Sequence, residues 1–311
     1  MSEWPRLDYT ADKPTIESLH LLLQLVGKLP LRLLPWTNHS WQVTLRMTPR
    51  GAITRSLPGG ARQFSAELDF LDGTIRVACD SGSQSVLEVA GKPIAEVHSE
   101  LSALLAALGL PAPLYGRPNE IPDAVRFVED DRPRAWDPEC ARRVHRAFLL
   151  ADRELVAFRS LYRGKSSPSH LFWGSFDLAV SRFSGRTAPP HPGGFPGLPD
   201  AVAREAYSHE VISAGFWPGN DACPQAAFYA YAYPTPEGLG GSAGLPGAAG
   251  WNGELGEFLL PYAAVRTAPE PSALVQEFLD ATYAAAAERL AWPSDQVVAA
   301  TPAFGRPPTA P

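Results

Sequence analysis

Between Trp41 and Ala90 five short apolar or alternating runs follow one another: WQVTLRMT, GAITRS, QFSAELDFL, TIRVACD and SVLEVA. Gly-bearing turns such as DG and SGS separate them. Links this short cannot carry a chain across a sheet to a parallel neighbour, so the runs predict an antiparallel meander. Segments of helical apolar period bracket it. TIESLHLLLQLVGK, from Thr15 to Lys28, predicts a helix starting near Pro14 or Thr15. KPIAEVHSELSALLAALGL predicts a second, with Gly109 as its C-terminal stop.

The order of parts then returns. DPECARRVHRAFLLADRELVAFRSLYRGK predicts a long amphipathic helix, capped by Asp137 and with Pro138 in its first turn. Strands are expected at WGSFDLAVSRF, EVISAGFWP, AAFYAYAYP and GELGEFLLPY, and PSALVQEFLDATYAAAAERLAW predicts a closing helix. In each half a helix ends in Gly-Lys (Gly27-Lys28, Gly164-Lys165), and a proline-containing link leads to a histidine near a tryptophan: His39 with Trp41, His170 with Trp173. The expected class is α+β, in two weakly similar halves that suggest an internal duplication, each an antiparallel sheet with flanking helices. The halves are expected over residues 1–120 and 121–300, with a disordered tail over 301–311. The 32 prolines and 26 glycines gather at HPGGFPGLPD, PTPEGLGGSAGLPGAAG and TPAFGRPPTAP, which read as a connection, a flexible insertion and that tail.

A net charge of -6 over 311 residues leaves no broad basic surface, which argues against binding to duplex nucleic acid. The three cysteines, Cys79, Cys140 and Cys223, show no CxxC spacing, so neither a disulfide framework nor a zinc knuckle is expected. They fit a reducing cytosol. The polar start MSEWPRLDYTADKPT is neither a signal nor a transit peptide, and no apolar run approaches the roughly 20 residues of a membrane span. A cytoplasmic protein without membrane contact is therefore expected.

Four segments, LVGKLPLRLLPWTNHSW, GKSSPSHLFWGSFDLAVSRFSGRTAPPHPGG, EAYSHEVISAGFWPG and FYAYAYP, resemble a bacterial family of about this length known only as a domain of unknown function. The resemblance spans essentially the whole chain. It implies a family identity and carries no activity, cofactor or catalytic residue. Where a cysteine often follows Gly-Lys in that family, this chain has Ser166, so the resemblance gives no support to thiol chemistry there.

His39, His170, His191 and His209 flank turns or strand ends, and Glu210 follows His209. Neutral imidazoles and a carboxylate suit zinc, iron or copper, and these four histidines are the candidate ligands of a transition metal. No HExxH or His-x-His supports the set, and hydrogen bonding in a polar seam is the competing role. His20, His98 and His145 are expected to pack on helices. Lys28, Lys165, Arg182 and Arg186 stand at the ends of predicted elements, where a cation suits a carboxylate or phosphate. Gly193-Gly194 would let a backbone approach, although a tight proline-rich crossing is the stronger explanation of that loop.

EAYSHE offers acid–base groups. As a strand it would put Glu205, Tyr207 and His209 on one face and Glu210 on the other; as a helix it would stack Glu205 on His209. His209 is the candidate base, with Glu210 and Tyr207 beside it. Ser169 and Ser175 lack the GxSxG elbow of an acyl-transfer nucleophile. In FYAYAYP one strand face carries Tyr229, Tyr231 and Tyr233, and three phenols seek polar partners.

Together these residues predict a groove between the halves that also takes in Asp177. Trp41, Lys165, Trp173, Arg182, Arg186, Trp217 and Tyr231 are the candidate substrate-binding residues. The leading expectation is a cytosolic enzyme acting on a small anionic molecule, with metal assistance. A non-catalytic binder of a small ligand or peptide is the first alternative, and a subunit of a homo-oligomer the second.

Overall fold

The computed structural model describes residues 3–114 and 116–297. The expected tail, 301–311, lies outside the described residues. The first helix, α1 (Tyr9–Leu33), starts well before its apolar period does, because Asp8 caps it by accepting the Ala11 N–H at 3.2 Å. Pro14 sits inside it without an amide to donate, so the sequence reads as a break where the helix continues. From Leu21 to Pro30 every residue is buried. Burial on all sides is the mark of a helix enclosed by other elements.

The first sheet comprises β1 (Arg46–Met47), β2 (Gly51–Ile53), β3 (Leu57–Gly59), β4 (Arg62–Asp69), β5 (Thr74–Cys79) and β6 (Gln84–Glu88). Its order is β1-β2-β4-β5-β6, with β3 also paired to β4, and every pairing is antiparallel. The meander is as expected, with two differences. Most of WQVTLRMT is not strand, since only Arg46 and Met47 join the ladder. The short strand at Leu57-Pro58-Gly59 was hidden by its proline, which a strand tolerates at an edge. Helix α2 (Ile94–Ala107) follows, and Gly109 takes the left-handed φ of +69° that ends it.

Helix α3 (Pro138–Ser160) is capped as its sequence predicts, by Asp137 accepting the Glu139 N–H at 2.9 Å. Next come β7 (His170–Phe172), β8 (Asp177–Thr187), α4 (Asp200–Ala206), β9 (His209–Trp217) and β10 (Ala227–Tyr233). The chain continues through β11 (Gly250–Asn252), β12 (Glu257–Pro261), α5 (Tyr262–Thr267) and α6 (Pro271–Arg289). The second sheet is also antiparallel, in the order β11-β12-β10-β9-β8-β7. The α+β class therefore holds. The two strand orders differ, and only the second sheet is closed by a return strand, β11. The sheets meet at Leu45 and Leu171, whose backbones exchange hydrogen bonds of 3.0 and 2.8 Å, and one buried apolar cluster runs through both. Among the described residues no helix is long and apolar enough to cross a membrane.

Alternation along the second sheet decides what reaches a site. One face carries Leu178, Val180, Ala214, Phe216, Phe228, Ala230 and Phe258, with Phe148 of α3 at 5.3 Å from the Phe216 ring. Arg182 falls on this apolar face. It is 1% exposed, its guanidinium carbon lies 3.4 Å from the Phe158 ring centre and 4.4 Å from that of Tyr283, and Nη2 donates to the Phe158 carbonyl. Burial draws its pKa down to about 10. The expected substrate-holding arginine is instead a core residue.

Trp173 likewise belongs to the core. Its indole lies on Gly27 of α1, donates to the Val43 carbonyl at 2.9 Å and receives the Lys28 ammonium 5.5 Å above its ring. A Cβ at Gly27 would fall 2.2 Å from Trp173 Cδ2. In a free helix Gly→Ala is worth about 1 kcal/mol of stability. Here the sign reverses: Gly27→Ala is expected to destabilise the fold by about 1–3 kcal/mol through overpacking, measured by urea denaturation.

Candidate functional site

The opposite face of the second sheet is polar and ringed by aromatics. One row of the ladder runs Leu259, Tyr229, Gly215, Ala179, His170, and the row beside it pairs Tyr231 with Ser213 and Ser213 with Ser181. The middle strands β8 and β9 thus present only small side chains. That low floor lets Tyr229 lie across β9 and donate its hydroxyl to Asp177 Oδ2. A Cβ at Gly215 would fall 2.4 Å from the Tyr229 hydroxyl, so the crossing requires glycine there. Ser175 donates to the other Asp177 oxygen. Burial outweighs these two hydrogen bonds and raises the Asp177 pKa.

Two further carboxyls flank Asp177. Glu257 begins β12, half-buried, and Glu120 comes from the segment between α2 and α3 with a left-handed φ of +59°. Each is pushed up to about 7, first by burial and then by the charge of Asp177. Among the described residues no cation offsets any of the three. The Tyr207 and Tyr231 hydroxyls are 3.0 Å apart, and burial pushes Tyr207 up to about 12. Three carboxyls and three phenols therefore gather on this face.

Helix α1 sets the position of Glu120. His20, Gln24 and Lys28 recur every four residues and form one polar stripe on an apolar helix. Fully buried Gln24 accepts the Asn119 N–H at 2.9 Å and donates to the carbonyls of Asn119 at 2.9 Å and Trp173 at 3.2 Å. His20 Nε2 lies 3.0 Å from the Trp173 and Gly174 carbonyls, and Lys28 donates to Asn119 Oδ1. The stripe clamps residues 119–120 against 173–174. A Cβ at Gly174 would fall 2.0 Å from Glu120 Oε1, so the carboxyl rests directly on that backbone. Burial lowers His20 to about 4 and Lys28 to about 8.

The sequence-predicted residues divide into several places. His39, Trp41, His170 and Lys165 do meet: Trp41 is 5.9 Å from His39 and 6.3 Å from His170, with the Lys165 ammonium 5.7 Å above the Trp41 ring. Tyr231 and Trp217 lie on the polar face, Trp217 packed with Ala227, Tyr229 and Leu259. His191 stacks on Tyr207 at 4.6 Å, and its Nδ1 accepts the Gly193 N–H at 3.0 Å. His209 is exposed beside Ser208. Glu210 points away from it, accepting from Ser184, Arg186 and the Trp292 indole.

The His209–Glu210 pair is therefore not formed. Both readings of EAYSHE fail for one reason, a change of element: the helix ends at Ala206 and the strand begins at His209. Arg186 is engaged at the surface, 2.8 Å from Glu210. Among the described residues no group of three His, Cys, Asp or Glu side chains is placed to hold a metal ion, so the four histidines do not form one ligand set. Glu120 and Glu257 went unread. Glu120 lies in the proline-flanked RPNEIP, which has no periodicity; Glu257 could have been found, because alternation in EFLLP sets it apart from Phe258.

A family model described as a family of unknown function (DUF5996) matches residues 4–299, and the chain belongs to that family. No curated protein and no solved structure matches it.

The raised carboxyls have a consequence for stability. Between the ordinary value of 4.5 and about 7 the folded chain keeps protons on Glu120 and Glu257 that the unfolded chain has released. Their contribution to stability is therefore greatest below that window and falls as pH rises through it. Glu120→Gln and Glu257→Gln are each expected to raise stability above pH 7, on the order of 1–2 kcal/mol after solvent screening, and to change nothing at acid pH. Chemical denaturation of the three proteins across pH measures this.

Proposed function

We propose that this chain is an enzyme that moves a proton on a small polar molecule, uncharged or cationic, held between the carboxyls and phenols of the second sheet. The observation that carries the reading is the pair Glu120 and Glu257, both raised to about 7 by burial and by the charge of the Asp177 they share. Acid–base catalysis at neutral pH needs one group that can give a proton and another that can take one, each with a pKa close to the working pH. Two such glutamates satisfy that need whichever of them is ionised. The paired hydroxyls of Tyr207 and Tyr231 can orient a ligand, and the small floor of Ala179, Ser181, Ser213 and Gly215 keeps bulk away from it.

The sign of the substrate follows from the charges. The sequence suggests an anion held by Arg182 or Arg186, yet one is buried in the core and the other is ion-paired with Glu210. Carboxyls that repel one another in a shared site favour a ligand that brings hydrogen-bond donors or positive charge. A cytosolic setting is part of this reading and is supported by three free thiols, two of them buried.

A thermal-shift panel of small amines, polyols, carboxylates and phosphates tests the reading, followed by solvent-deuterium exchange into the best ligand. Amines or polyols are expected to raise the melting temperature. Exchange should fall by about 10²–10⁴-fold in Glu120→Gln and Glu257→Gln, the usual worth of a positioned acid or base. Stabilisation by anions alone would overturn the proposed substrate class. Binding without exchange would favour a non-catalytic binder that uses the same groups.

A further inference from the structure

The corner where β7 meets the turn before Val43 holds polar atoms that the protein itself does not satisfy. Among the described residues, Ser40 Oγ, Trp41 Nε1 and both ring nitrogens of His170 are buried without a hydrogen-bond partner. His170 is 3% exposed, so bulk water does not serve it. A buried polar group left unpaired costs about 1–3 kcal/mol, and native folds carry few of them. Four such atoms at one corner therefore need an explanation.

The corner is built rather than loose. His39 and Ser40 both adopt left-handed backbone, with φ of 60° and 54°, a conformation that non-glycine residues hold only under constraint. Glu205 supplies the constraint by accepting the His39 N–H at 2.8 Å, and His39 Nδ1 lies 2.9 Å from the Ala206 carbonyl and donates to it. Rings complete the walls: His170 is 4.8 Å from Phe172, and His39 is 5.5 Å from Phe183. The Lys165 ammonium sits 5.7 Å from the Trp41 ring and 5.6 Å from that of Phe183.

We propose that this corner is a binding site for a small carboxylate, received by the Trp41 indole N–H, the His170 ring N–H and the Ser40 hydroxyl, with Lys165 supplying the charge. The donor set argues for an anion, since the indole and the ammonium can only donate and His170 and Ser40 each add a further donor. The charge argues for a monoanion. The Lys165 ammonium is the cation seated over the rings, the Arg55 guanidinium acts on His170 through its charge, and burial holds His39 near 4 and His170 near 3, so both imidazoles are neutral at neutral pH. The carboxylate bonded into the corner, Glu205, is occupied with the His39 amide. Two strands, β8 and β9, lie between His170 and Tyr229 in their shared row, and none of the donors at this corner belongs to the cluster of carboxyls and phenols.

Titrating acetate into the full-length protein, while following the His170 ring and Trp41 indole nitrogens by NMR, tests the proposal. Both signals are expected to shift saturably, and Lys165→Met, an exposed position, should weaken binding by about tenfold or more. Trp41→Phe should weaken it by a similar factor, whereas Glu120→Gln should leave it intact. Signals unmoved by acetate and formate would overturn the proposal and assign the four atoms to buried water. A shift that survives unchanged in both corner variants, or phosphate binding tighter than acetate, would overturn it as well.

Discussion

Gln24 carries one primary amide into the middle of an otherwise apolar helix, and much of the molecule is arranged around what that amide holds. Its oxygen and nitrogen fasten Asn119 from both sides of the peptide, and the same nitrogen reaches Trp173. A buried amide is tolerated only when its polar atoms are used, and here each is spent on backbone from another segment. The long segment between α2 and α3 and the short turn 173–176 between β7 and β8 are thereby held in register with α1. Gly27, one position before Lys28 on the same helix, lets the Trp173 indole close the contact.

Position then becomes electrostatics. With residues 119–120 clamped onto 173–174, the Glu120 carboxyl has no freedom to swing out toward water, and it shares its surroundings with Asp177. Asp177 is fixed in turn by Ser175 and by a tyrosine that reaches it across a glycine. Three acids with no counter-cation among the described residues are an unfavourable arrangement for a protein that needed only stability. The fold maintains them with a buried glutamine, a left-handed glutamate and a glycine in mid-strand, and the proposed acid–base role rests on that arrangement.

Much of this fold could be read from the sequence, because period and capping are local. The α3 start at Asp137, the α2 stop at Gly109 and the strands of FYAYAYP and TIRVACD follow from neighbours in the chain. The site was less legible. Arg182 looked like an anion clamp at a strand end, but strand alternation sends it under the helices; Ala179 and Ser181, on either side of that pattern, were the residues facing the polar floor. His39, Trp41 and His170 do share a corner, but neither Gly-Lys pair ends a helix as the sequence suggests: α1 runs through Gly27-Lys28 to Leu33, and α3 stops at Ser160, before Gly164-Lys165. Glu120 carried no local signal at all. Prolines stand two residues away on either side, and its position depends on Gln24 in a leucine-rich helix some ninety residues earlier.

The most direct test of this account replaces that glutamine. In Gln24→Met the helix keeps its volume and loses the clamp, while Glu257 keeps its own surroundings. Titration of the glutamate side-chain carbons by NMR should show Glu120 falling back toward the ordinary carboxylate range, with Glu257 remaining near 7. A Glu120 that still titrates near 7 in a folded Gln24→Met protein would contradict the claim that the α1 stripe creates the site.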